Sequence, residues 1–563
     1  MSLGGRWQLP LLIALAAALT LGTAGWGDLY NETDGQYGGA AKVMARSGSW
    51  LIPENDGIPR LVKPPLLYWA LAGSMKILGI NEFAARLPNA LAVTAWVAVT
   101  FLIGAHMGGK SRGFLAGIIL LTSLGTSTLG RIVMPEPMFS AFIAGALYCA
   151  LRGADRAANR RQWFLGFWFF ASLASFTKGS HGLLYPIVIL GIAAIFRTGA
   201  RYSLRGLVSW QGALLFAAIN LPWHFYVEFH FPGYLHNLLV AEQLGHILGA
   251  STPATSYTDV PRWQFLLLQL VWLFPWSLGI IAGAPLFADY FLRRRRVALS
   301  LPALVVLLWM IVVMGSVILV GERQDYYAMS MWPAFALAVA WALERSRVQT
   351  FVIALAVLLA IGLAWSQATP SFTHASTTAT LAERATAWTT ITNFDRVVWS
   401  SLRATAWIAL GGALFFAMLA LFFRRTRIKL AALTASAICL DLGAVSGTSL
   451  VSPYFSLATV AGDIHAPIVY DGGIDTGSSL LFYSDSPVIL LDQNPDKDFI
   501  VRKFGIGRDR FLTASEFVAF WNSAVPAVFI TEESKLAGWR ELLGASLAPV
   551  ARCGTQILLK NTP

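Results

Sequence analysis

The chain has 563 residues, of which 56% are hydrophobic and only 13% charged. A soluble domain carries about 45–50% apolar and about 25% charged residues, so a water-soluble enzyme and a disordered chain are both excluded. The net charge of +12 falls as short basic punctuation between apolar runs, which argues against a nucleic-acid-binding face. Of the three cysteines, Cys149 and Cys439 lie inside apolar runs, so neither a disulfide framework nor a cysteine metal cluster is expected.

Runs long enough to cross ~30 Å of hydrocarbon predict thirteen spans. They lie at 8–26, 86–107, 113–130, 135–151, 162–177, 181–197, 206–223, 263–290, 299–320, 328–343, 350–366, 403–423 and 430–447. Alternate connections are basic. They hold Lys110 and Arg112; Arg152, Arg156, Arg160 and Arg161; Arg197, Arg201 and Arg205; Arg293 to Arg296; Arg345 and Arg347; and Arg424, Arg425, Arg427 and Lys429. Lys/Arg-rich loops stay in the cytoplasm, so the amino terminus is expected inside and the carboxyl-terminal segment outside. The small residues Thr23–Ala24–Gly25 also fit a cleaved signal peptide, which would leave the orientation downstream unchanged.

The first outer connection, 27–85, opens on Glu32–Thr33–Asp34 and runs through a helical pattern around Tyr37–Arg46. It then reaches Lys63–Pro64–Pro65 and an apolar stretch, Leu66–Leu78, too short to span and expected to lie in the interface. Asp34 stands just past span one, and Lys63 precedes two prolines of fixed φ. A carboxylate and a rigidly presented ammonium at headgroup level suit a substrate with a phosphate and a proton to remove, although helix-capping acids in a solvated loop would look the same. Glu136, between Pro135 and Pro137, is predicted at the outer start of span four, beside the positive end of a helix dipole. Lys178 and Arg323 interrupt apolar runs on the outer side and need anionic partners.

The connections 224–262 and 367–402 are also long, the latter Thr/Ser/Ala-rich. His224, His230, His236 and His246 share the former at spacings that fit no standard metal motif, and read as loop histidines. Beyond Gly447, β-rich runs at Ile468–Tyr470, Val488–Leu491, Val528–Thr531 and Ile557–Leu559 alternate with helical patterns around Ser515–Ala524 and Lys535–Leu543. This predicts a small α/β outer domain. The expected organisation is a membrane domain over 1–447 and an outer domain over 448–563.

The succession Glu32–Thr33–Asp34, Gly48/Trp50/Pro53, Lys63–Pro64–Pro65–Leu66–Leu67–Tyr68–Trp69 and Asn81–Glu82–Phe83–Ala84–Ala85–Arg86–Leu87–Pro88 resembles the bacterial lipid A aminoarabinose transferase-like glycosyltransferases. These are GT-C enzymes, related to the protein O-mannosyltransferases. Lys178–Gly179, Leu221–Pro222–Trp223, Pro232–Gly233–Tyr234 with Glu242, Pro275–Trp276, Arg323–Gln324 with Tyr326–Tyr327, and Leu480–Tyr483 extend the match.

The resemblance implies a polytopic all-α enzyme of about thirteen spans in the bacterial inner membrane, with its active site at the outer boundary. It would act with inversion on a polyprenyl-phosphate-linked sugar and pass the sugar to lipid A, another glycolipid, a glycan or a protein. Asp34 matches the catalytic aspartate and Lys63 the donor-phosphate lysine. Glu136 stands where a second aspartate is usual, and Arg131, Lys178 and Arg323 are candidate phosphate helpers. Glu32, Tyr37, Tyr68, Glu242, Tyr326 and Tyr327 are candidate substrate contacts. Val62 replaces a frequent glutamate, which weakens any metal-site carry-over and leaves a divalent metal open; no other cofactor is implied. The partners expected are the lipid-linked donor, the acceptor and membrane lipids, with the chain acting as a monomer. The alternative is a lipid or solute transporter, whose polar residues should gather at mid-bilayer on broken helices; a structural assembly protein would not need Asp34, Lys63 and Glu136 near one boundary.

Overall fold

In a computed structural model, residues 6–155, 159–197, 203–245, 260–280, 299–321, 323–344, 348–365, 396–462, 464–544 and 549–561 are described, with residues 199, 283, 284 and 547. Arg156, Arg201, His246, Arg293 to Arg296, Glu322, Arg345, Arg347, the end of the span predicted at 263–290 and most of the 367–402 loop lie outside them.

The first helices in chain order are α1 (Gln8–Gly22), α2 (Thr33–Ser47), α3 (Leu66–Leu78) and α4 (Glu82–Gly108). There follow α5 (Lys110–Leu121), α6 (Leu124–Thr128), α7 (Glu136–Ala154), α8 (Arg160–Lys178), α9 (His181–Phe196) and α10 (Trp210–His230). After them come α11 (Arg262–Trp272), α12 (Leu301–Leu319), α13 (Trp332–Leu343), α14 (Val348–Trp365), α15 (Arg396–Phe422) and α16 (Thr426–Val451). Among the described residues six helices are long and apolar enough to cross a membrane: Glu82–Gly108, Glu136–Ala154, Leu301–Leu319, Asp325–Leu343, Val397–Phe422 and Thr426–Ala461. Shorter apolar helices coincide with predicted spans at Gln8–Gly22, His181–Phe196 and Phe351–Trp365.

The sequence pattern predicts an unbroken span over 113–130. The chain instead bends by 62° between Lys110–Leu121 and Leu124–Arg131. Thr122 and Ser123 turn their hydroxyls back onto the carbonyls of Ile118 and Ile119, and Leu124 N–H leaves the helix for the Phe274 carbonyl. Such side chains offer the backbone an alternative to the helical ladder, and Gly125 through Thr128 propagate a helix weakly. At the far end, α16 runs to Val451, past the Gly447 predicted as the end of the last span.

Aromatic stacking helps close the helical core. Trp96 on α4 lies 6.0 Å from Trp332 on α13, and Trp276 lies 5.7 Å from Phe351 on α14.

A short antiparallel pair, β1 (Glu54–Asn55) and β2 (Ile58–Pro59), closes the loop before α3. The remaining strands are β3 (Ile468–Tyr470), β4 (Val488–Leu491), β5 (Phe511–Leu512), β6 (Val528–Glu532), β7 (Ala551–Cys553) and β8 (Gln556–Lys560). They form one sheet in the order β5-β4-β3-β6-β8-β7, parallel from β5 to β6 and antiparallel from β6 through β8 to β7. Side chains alternate between the two faces of a strand. Val469, Leu491, Phe529 and Leu559 therefore pack with Phe517, Trp521 and Trp539, whereas Ile468, Tyr470, Val528 and Ile530 pack with Leu457, Leu480 and Leu481. The edge strands β5 and β7 escape the sequence pattern because β5 has only two residues and β7, Ala551–Arg552–Cys553, carries no β-rich apolar run.

This sheet is joined to the first loop at close range. A Cβ on Gly35 would come within 2.4 Å of the Ser478 carbonyl oxygen and the Ser479 nitrogen, and one on Gly39 within 2.5 Å of Leu481 Cβ. The glycine face of α2 thus admits α17 (Ser479–Tyr483) at backbone distance.

Candidate active site

Asp34 lies in the first turn of α2 and is 1% exposed. Its Oδ2 accepts Tyr30 N–H at 3.0 Å and its Oδ1 accepts Val133 N–H. The Arg86 guanidinium stands 3.9 Å from Oδ2. Burial pushes the Asp34 carboxyl above its ordinary range, against the pull of Arg86, the two N–H donors and Arg131. Arg86 also donates to the carbonyls of Ala24, Trp26, Gly27 and Asp28, fixing the chain between α1 and α2. Its position in the Asn81–Pro88 motif is visible in the sequence, but its role as the counter-ion of Asp34 is not.

The segment from Arg131 to Glu136 links Asp34 to a second group of charges. Asn89 on α4 donates to the carbonyls of Ile132 and Met134 and so fixes the strand-like stretch whose Val133 N–H meets Asp34. Three residues on, Pro135 and Pro137 start α7 and set Glu136, which is 4% exposed. Glu136 Oε1 pairs with Lys178 Nζ at 2.8 Å, while its buried Oε2 has no hydrogen-bond partner among the described residues. The Lys178 ammonium also lies over the rings of Phe139, at 5.3 Å, and Tyr327, at 4.8 Å.

Lys63 belongs to this second group. Burial pushes its ammonium below the ordinary lysine range. Glu242 opposes that shift, Lys178 and Arg60 reinforce it, and Glu136 opposes it more weakly. Glu242 sits on a π-helical stretch, Asn237–Leu244, beyond α10. Arg60, not singled out from the sequence, donates to the Tyr68 hydroxyl at 3.0 Å and lies over the Tyr37 ring at 5.2 Å. Tyr37 and Tyr68 pack ring to ring at 5.1 Å, so both hold Arg60 in place.

The other candidates are placed differently. Arg131 donates to the Thr23 and Trp26 carbonyls, and Arg323 to those of Val260, Val320 and Gly321. Both guanidiniums thus serve the backbone. Tyr326 packs edge-on against Tyr327. Glu32 adopts φ 67°, its N–H donating to the Asp475 carbonyl; burial raises its carboxyl, and Asp475 and Asp325 add to the rise. Asp475, from the turn after β3, accepts from Gln36 of α2, a contact for which its sequence context gives no signal. His224 meets the Tyr234 hydroxyl at 3.0 Å and His230 the Tyr226 carbonyl at 2.8 Å; both lie on the last turns of α10 and His236 in the helical turn Tyr234–His236, not in a loop as the sequence predicts, because α10 continues past Trp223 to His230. Among the described residues no group of three His, Cys, Asp or Glu is arranged to hold a metal ion.

Two charge clusters are therefore linked by the segment Arg131–Glu136: an acid held by Arg86, and two ammonium groups among two carboxylates. The dolichyl-phosphate-mannose-protein mannosyltransferase family pattern matches residues 8–238. The undecaprenyl phosphate-alpha-4-amino-4-deoxy-L-arabinose arabinosyl transferase of Shewanella sediminis is 24% identical over 269 residues, 47% of this chain and 48% of that protein. ArnT from Cupriavidus metallidurans, solved bound to undecaprenyl phosphate, superposes with a TM-score of 0.82 at 20% identity, covering 99% of this chain and 98% of that one. The likeness in sequence is thus to glycosyltransferases and lies mainly in the amino-terminal part of the chain. Its fold is that of a polytopic membrane protein. The archaeal oligosaccharyltransferase AglB from Archaeoglobus fulgidus shares the fold more distantly, with a TM-score of 0.52 at 12% identity over 96% of this chain and 71% of its own. In sequence, the chain matches about half the length of its Shewanella relative.

Proposed function

We propose that the chain is an inverting glycosyltransferase that moves a sugar from a polyprenyl-phosphate donor to a lipid or other acceptor at the outer membrane face. The observation that carries this reading is the grouping of Lys63 and Lys178 with Glu242 and with Glu136, which follows the stretch whose Val133 N–H holds Asp34. A phosphate beside Lys63 would offset the repulsion that Lys178 exerts on its ammonium, and the undecaprenyl phosphate bound by the similar ArnT supports that ligand class. In the transfer step the bond between anomeric carbon and phosphate oxygen breaks, and the acceptor oxygen bonds to the opposite face of that carbon. Lys63, with Lys178 behind it, stabilises charge on the departing phosphate. Asp34 takes the proton of a hydroxyl acceptor; an acceptor that is already a phosphate anion would instead be oriented by it. The orphan Oε2 of Glu136 suits a sugar hydroxyl. The direct test is transfer of labelled sugar from a polyprenyl-phosphate donor by the purified chain.

The depressed Lys63 pKa gives a pH prediction. Donor phosphate favours the protonated lysine, so donor binding is full below the Lys63 pKa and is lost as pH rises through it. The donor KM is expected to climb at a lower pH than an ordinary lysine would dictate. Lys63→Arg stays protonated and should show no such climb, at a lower kcat. A wild-type donor KM that is flat through the alkaline range would oppose the assignment.

The proposed topology has thirteen spans in a bacterial inner membrane, the amino terminus inside and the segment after Gly447 outside. A reporter fused after Pro563 is expected to be active only outside the cytoplasm. Cytoplasmic reporter activity would mean one span too many or too few.

A further inference from the structure

The turn Asp28–Asp34 is gripped by the chain that follows α16. Asp28 N–H meets Ser452 Oγ at 2.9 Å, and Leu29 N–H meets the Tyr483 hydroxyl at 2.7 Å. Asn31 N–H donates to the Phe455 carbonyl and Glu32 N–H to that of Asp475. Ser478 Oγ donates to the Glu32 carbonyl at 2.9 Å, and Ser479 donates to Asn31 Oδ1 from its N–H at 3.0 Å and its hydroxyl at 2.7 Å. The positive φ of Glu32 is strained and persists only where the surroundings over-determine it; here both its N–H and its carbonyl are tied to the outer segment. The same turn carries Tyr30, whose N–H holds Asp34 Oδ2.

We infer that the outer α/β segment sets the catalytic geometry, with Asn31, gripped by Ser479, as a positioning residue for Asp34. This rests on the reading of Asp34 as the catalytic carboxylate. A second part of the same contact supplies the control. Lys42, two turns further along α2, donates to the Phe482 and Ser484 carbonyls and pairs with Asp485 at 2.6 Å. It ties the segment down without touching the Asp34 turn.

The test compares wild type with Asn31→Leu, Ser478→Ala, Lys42→Met and Asp34→Asn as full chains in nanodiscs. The readouts are kcat per folded enzyme, donor KM and pH profile. A displacement of about 1 Å can cost about 100-fold in rate. Asn31→Leu should therefore lower kcat by about 10- to 100-fold, with donor KM little changed. Its acid limb should move to higher pH, because weakening the Tyr30 N–H bond removes a donor that holds the Asp34 carboxyl down. The other charged or titratable groups facing Asp34 stay in place: Arg86 from α4, Arg131 ahead of α7, and Tyr30, whose phenol is pushed up to about 12, chiefly by burial.

Ser478→Ala, which removes a single hydroxyl, should give a smaller loss of the same kind and decides the matter if Asn31→Leu does not fold. Lys42→Met should lower thermal stability and leave kcat and pH profile unchanged. Wild-type kcat and pH limb in the foldable turn variants would overturn the inference, as would equal kcat losses in the turn variants and Lys42→Met. If Asp34→Asn were itself active, the catalytic reading would fall as well. An inactive Asp34→Asn beside normal turn variants would remove only the positioning role.

Discussion

Asp34→Asn is expected to cut transfer by about 100- to 10,000-fold while the protein inserts and purifies in normal amounts. The carboxylate is buried, and each oxygen already accepts one backbone N–H. Burial raises its proton affinity, which suits a group that must take a proton from an acceptor hydroxyl. Asparagine keeps the shape of the side chain and one acceptor oxygen, so the turn before α2 should survive. It has no basic oxygen and no charge to set against Arg86. Near-normal turnover at equal protein levels would remove Asp34 from the reaction.

Lys63→Ala should have the second large effect, lowering kcat by about 100- to 1,000-fold and raising the donor KM. Removing one pre-positioned donor to a developing oxyanion costs that much because nothing reorganises to replace it. Lys178→Ala should cost much less. Its ammonium is already committed to Glu136 and to the aromatic wall of Phe139 and Tyr327. If Lys63→Ala kept wild-type rate and donor dependence, the phosphate site would lie elsewhere. The cation would then be sought at Arg131 or Arg323, although each already gives some of its N–H groups to main-chain carbonyls.

The long apolar helices and the strands at Ile468–Tyr470 and Val488–Leu491 are legible in the sequence because the length of an apolar run and its β-branched content are local properties. The break at Thr122–Ser123 is not, because hydropathy averages over hydroxyls that bond back to the helix. At the site, the residues come from the motifs but their grouping does not. Asp34 and Lys63 lie on one loop, yet the charges that act on Lys63 are Glu242, Lys178, Arg60 and Glu136, and those that act on Asp34 are Arg86 and Arg131. Arg60 and Asp475 escape notice because a lone charge in a loop carries no pattern; only the fold sets Arg60 over Tyr37 and Asp475 against Gln36.

Bond transfer at the outer face is tested most directly in a reconstituted membrane. Wild-type chain and Asp34→Asn are reconstituted in liposomes with a polyprenyl-phosphate-linked radiolabelled sugar and candidate lipid acceptors. Products are then separated from donor. The proposed function predicts label on a new acceptor and free polyprenyl phosphate with the wild type, and neither with the variant. Label that crosses the bilayer still attached to its original carrier, with no new glycosidic bond, would contradict it and mark a transporter.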